Sequence, residues 1–124
     1  IELSTQSEMI SEYVQPALEK QLLRSYRVLT EVRTKILKQQ YEDRIATLEK
    51  VMSGLLSQRD KLGAAMDELS RLGSEDEKLT LLTDQAIDIG KELRKHADHA
   101  ERLVAREYWE LPRYREMLFD QPAR

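Results

Sequence analysis

The 124-residue sequence contains no cysteine. A disulfide framework, a thiolate metal site and a cysteine nucleophile are therefore excluded, and a reducing, cytoplasmic setting is expected. Glycine and proline are scarce at 4 and 3 residues, so few points in the chain break a helix. Aromatic residues make up only 6%, which leaves little of the β-forming side-chain stock that sheets draw on. No apolar run is longer than three residues, as at Leu103-Val104-Ala105, so no stretch is shaped to span a membrane or to serve as a signal peptide. A positive excess is also missing. Lys+Arg number 20 against 23 Asp+Glu, a net charge of −3 that lacks the field non-specific nucleic-acid binding requires.

What is present is charge, at 35% of residues, laid over an apolar 40% with helical periodicity. Met9, Ile10, Tyr13, Val14 and Ala17 begin a stripe that Leu18, Leu22, Leu29, Val32 and Ile36 continue. Pro16 lies inside it, removing the bond to the Glu12 carbonyl and crowding that turn, so a kink is expected there. A second stripe is a heptad seam, stepping by four and three through Tyr41, Ile45, Leu48, Met52, Leu55, Arg59, Leu62, Met66 and Leu69. Only Arg59 interrupts it. A side chain in that position either sets helix register or, more commonly, snorkels out at a bundle edge. Gly54 and Gly63 each weaken this helix by about 1 kcal/mol relative to Ala.

Gly73 suits a helix C-cap, and Ser74-Glu75-Asp76-Glu77 supplies the cap and acids of a new first turn. A third stripe follows, through Leu79, Leu82, Ala86, Ile89, Leu93, His96, Ala100 and Leu103. The short connection implies antiparallel neighbours. Between the first two stripes no Gly or Pro marks a boundary, and a tight turn near Gln39–Asp43 is expected because one unbroken helix would not fold back. The chain thus divides into a kinked helix over 1–40, a helical hairpin over 41–73 and 74–108, and an aromatic, proline-bearing tail over 109–124. The expected fold is a single all-α domain, an antiparallel bundle of three long helices, with the tail returning along the first.

Catalytic patterns are thin. His96 and His99 stand on adjacent turns of one helix, which offers two ligands at best where zinc needs three or four. No Glu-x-x-His pair, nucleophile elbow or phosphate-cradling glycine loop occurs. Arg113 and Arg115 beside Trp109 and Tyr114 have the makings of a base-stacking contact, or of ion pairs with Glu110 and Glu116. No catalytic, cofactor-binding or metal-ligating residue is assigned.

The stretch Arg106-Glu107-Tyr108-Trp109-Glu110-Leu111-Pro112-Arg113-Tyr114-Arg115-Glu116-Met117-Leu118-Phe119 gathers four of the seven aromatics. It resembles the extreme carboxyl end of type III glutamine synthetases, which finish in a Tyr-Trp-Pro-x-Pro-x-Tyr stretch closing on Leu-Phe. Ile1-Glu2, Met9 and Gln15-Pro16-Ala17 are similar to the same family where its chain leaves the catalytic part. Glu110 stands where the family usually has a second proline, and Val14-Gln15 is less aliphatic than the family's pair. The resemblance implies a carboxyl-terminal structural domain of a larger enzyme that ligates ammonia to glutamate with ATP and Mg or Mn. It implies as partners the upstream catalytic domain and neighbouring subunits of a homo-oligomer, with Trp109, Pro112, Tyr114 and Phe119 as interface anchors. The alternative is a standalone helical module whose Tyr41-to-Leu69 seam pairs with another protein.

Overall fold

The computed structural model describes residues 3–72 and 78–109. They form three long helices, and no strand occurs among the described residues. The first consists of α1 (Leu3–Met9), a π-helical turn (Ile10–Val14) and α2 (Gln15–Glu31), joined without an interruption in helical backbone. α3 spans Lys35–Arg71 and α4 spans Lys78–Leu103, followed by a short 3-10 turn at Arg106–Tyr108. At 37 residues α3 extends about 55 Å, the longest element of the domain.

Proline 16 explains the π turn. Its nitrogen has no proton to give the Glu12 carbonyl, and its ring needs room at that turn. The chain widens just before it, so that the Gln15 N–H reaches back to the Ile10 carbonyl. Pro16 then falls in the first turn of α2, where a missing donor costs nothing. The strain expected at Pro16 is thus absorbed by the turn before it.

The first reversal departs from the sequence expectation. It lies at Val32–Thr34, and Gln39–Asp43 is continuous helix. Val32 and Thr34 are both extended, at ψ 147° and 142°, and Thr34 occupies the N-cap position of α3. Two β-branched residues flanking Arg33 make this the weaker helical stretch. Lys38–Asp43, by contrast, is largely straight-chain helix formers, stapled where Gln39 Nε2 donates to Asp43 Oδ1 at 2.9 Å. Ile36 consequently leaves the apolar stripe and stands 74% exposed at the start of α3.

Packing follows the stripes closely elsewhere. Ile10, Val14, Leu18, Leu48, Leu55, Leu62 and Leu93 are fully buried in one core. α4 adds mainly small side chains to it: Ala86, Gly90, Ala97 and Ala100 are buried on the face that carries Leu93. Cross-helix bonds run in opposite sequence order, Tyr26 donating to Glu49 (2.9 Å) while Arg59 donates to Gln15 (2.9 Å). Gly73 and the Ser74–Glu77 cap fall outside the described residues.

The two α3 glycines differ in what surrounds them. A Cβ on Gly54 would stand 2.7 Å from His96 Cε1, whereas one on Gly63 would meet nothing within 4 Å. Gly63→Ala should therefore raise stability by about 0.5–1 kcal/mol, the usual difference between the residues in a helix. Gly54→Ala should fall below it, because the gain is offset by displacing the imidazole. Thermal unfolding of the two variants side by side checks this; equal shifts would refute it.

Candidate functional site

α2 turns one polar face inward near its end. Gln21, Arg24, Ser25 and Val28 lie at i, i+3, i+4 and i+7. Opposite them α3 presents Tyr41 and Arg44, and the end of α4 presents Arg102, Leu103, Val104 and Ala105. Together with Glu107 these enclose a cleft of about 430 Å³.

Its floor is a buried polar relay. Gln21 and Ser25 are 7% and 1% exposed, and Gln21 Nε2 donates to Ser25 Oγ at 3.3 Å. The Gln21 carbonyl oxygen accepts the backbone N–H of Ala105 at 2.8 Å, where α4 has ended and that donor has no helical partner. One glutamine thereby ties the chain leaving α4 to the middle of α2. Above it, Arg24 Nη1 donates to Glu107 (2.9 Å) and to the Tyr108 hydroxyl (3.4 Å). The Tyr108 bond first, and Glu107 after it, raise the Arg24 pKa. On the far wall the Arg44 guanidinium lies over the Tyr41 ring, 5.3 Å from its centroid.

Arg59 does not snorkel freely to solvent. Its Nη1 donates to Ser11 Oγ (3.1 Å) and Gln15 Oε1 (2.9 Å), and its Nη2 pairs with Asp60 at 3.2 Å. The seam's interruption is a clamp from α3 to the π turn and α2. Tyr26 and Glu49 make a second clamp, whose hydrogen bond, followed by desolvation and the carboxylate charge, raises the phenol's pKa.

His96 and His99 border one recess of about 300 Å³ with Thr47, Lys50 and Val51. Glu92, four residues before His96, is engaged by Lys95 at 3.2 Å. No group of three metal-type ligands occurs among the described residues. Of the four proposed anchors, Trp109 is half-buried and packs against the core beside Tyr108. Pro112, Tyr114 and Phe119, with Arg113 and Arg115, lie outside the described residues. No helix among the described residues is long and apolar enough to cross a membrane.

Comparison with known protein families, curated proteins and solved structures gives no match.

The sequence carries only a trace of the cleft. The first stripe skips from Leu22 to Leu29, and Ser25 occupies the position an apolar residue would fill. A small polar residue at a core position, flanked by Gln21 and Arg24, is the signal.

Proposed function

We propose that this chain is the carboxyl-terminal helical domain of a type III glutamine synthetase, an antiparallel three-helix bundle whose role is to hold the assembly together. The observation that carries the reading is the stretch Arg106–Phe119, with its aromatic residues spaced around Pro112 and closing on Leu118-Phe119. The half-buried packing of Tyr108 and Trp109 on the helical core supports it, since this anchors the base of the tail. In this reading the parent enzyme, cytoplasmic and oligomeric, ligates ammonia to glutamate using ATP and Mg or Mn, and its catalytic groups lie outside these residues. The bundle contacts the catalytic domain or a neighbouring subunit through Trp109, Pro112, Tyr114 and Phe119.

The test uses the native polypeptide. Its intact mass should be several times the 14.5 kDa of this chain, and it should form glutamine from glutamate, ammonia and ATP. Trp109→Ala with Phe119→Ala should then shift the assembly to smaller species by native mass spectrometry. Unchanged oligomer size and activity would reject the structural role.

A second reading has an observation of its own. Leu23 (70% exposed), Tyr26, Ile36 and Leu37 are exposed on α2 and the start of α3, around the Val32–Thr34 reversal. That distribution suits a module that binds a partner protein. A native mass near 14.5 kDa, without ligase activity, would favour it over the synthetase reading.

A further inference from the structure

We infer that the cleft between α2, α3 and the end of α4 binds a small ligand carrying an oxyanion group, a phosphate ester or a carboxylate, through Arg44, Arg102 and the Ser25 hydroxyl. The proposal is independent of the glutamine synthetase reading. It rests on charge, unspent donors and size.

Charge comes first. In a chain with net charge −3, the cleft collects three guanidinium groups, Arg24, Arg44 and Arg102, against the single carboxylate of Glu107. Arg24 is committed to Glu107 and Tyr108 and acts as a post at the rim. The last carbonyls of α4 add negative potential at this end, which Arg102 in the final turn counters. Arg44 remains as excess positive charge on the opposite wall.

The donors are the second observation. Stacking on Tyr41 occupies a face of the Arg44 guanidinium, while its N–H groups lie in the plane and stay available at the edges. No hydrogen bond or ion pair engages Arg102 among the described residues. Ser25 is the most telling group. It is 1% exposed, its oxygen accepts from Gln21, and its own proton has no acceptor among the described residues. A buried donor bordering a cationic cleft is a ready partner for an anionic oxygen.

Size and lining complete the argument. A volume of about 430 Å³ is that of a small-molecule site, and Val28, Leu103 and Val104 give a short carbon skeleton apolar walls.

The experiment is a titration of the full 15N-labelled chain with inorganic phosphate and, separately, malonate, at constant ionic strength set with sodium chloride. Saturable shifts are expected at the Nε–H signals of Arg44 and Arg102 and at the Ala105 amide. Saturation by phosphate points to a phosphate ester, and saturation by malonate to a carboxylate. Arg44→Gln and Arg102→Gln should each weaken binding about tenfold. Both side chains are exposed, so both variants keep the fold, which circular dichroism verifies. Ser25→Ala should weaken binding several-fold without altering the charge. Shifts that never saturate, that spread equally to Arg27 and Arg33, or that survive both arginine replacements would overturn the assignment.

Discussion

Leu55→Ala should lower the unfolding free energy by about 2–5 kcal/mol, the range for emptying a leucine-sized space in a closed core. Leu55 is fully buried in α3, one residue from the Gly54–His96 contact with α4 and one turn from the Arg59 clamp to the first helix. Helices braced on both sides have little freedom to collapse onto a void, so the loss should lie in the upper half of that range. Leu23→Ala is the control. At 70% exposure it should change stability by less than about 0.5 kcal/mol. Urea denaturation of both variants measures the difference, and a Leu55→Ala loss under about 1 kcal/mol would contradict the core described above.

Gln21→Leu should cost about 1–3 kcal/mol, although leucine is similar in size and more apolar. The reason is what it abandons. The Ala105 N–H loses its acceptor in a part-buried setting, and Ser25 loses its donor in a buried one. Gln21→Glu keeps an acceptor for Ala105 and offers one to the Ser25 hydroxyl, so it should retain most of the stability. Amide exchange at Ala105 is the discriminating measurement. Protection should collapse in Gln21→Leu and survive in Gln21→Glu; equal protection in the two would show that Gln21 does not hold this segment.

Large apolar residues at helical spacing made much of the core legible. The seam from Ile45 to Leu69 and the stripe from Leu79 to Leu103 lie on buried or half-buried faces, because burying such side chains is the main driving force and leaves a period. The reversal at Val32–Thr34 was not legible. Without glycine, proline or an acid three residues beyond Thr34, its only mark is a pair of β-branched residues, a difference of a few tenths of a kcal/mol. Pro16 announced a disturbance but not its form, since a kink and a π turn both relieve the same clash. The cleft was least visible. Its arginines come from three helices, and nothing in their local spacing shows that Arg24, Arg44 and Arg102 converge. Ser25 alone hinted at it, as a gap in a stripe.

The side-chain bonds that hold residues 104–109 join groups 83 and 84 positions apart, Arg24 to Glu107 and Gln21 to Ala105. The α3–α4 pairing depends on far shorter stretches of chain between its partners. Beyond its short-range backbone bonds, such as Tyr108 N–H to the Ala105 carbonyl (3.0 Å), the segment after α4 is therefore held in place by side chains of α2. A change in how firmly the first helix is seated should therefore reach Tyr108 and Trp109, more than 90 residues beyond Pro16 in sequence. Residues 104–109 are thus fastened to α2 as well as to the helix they follow.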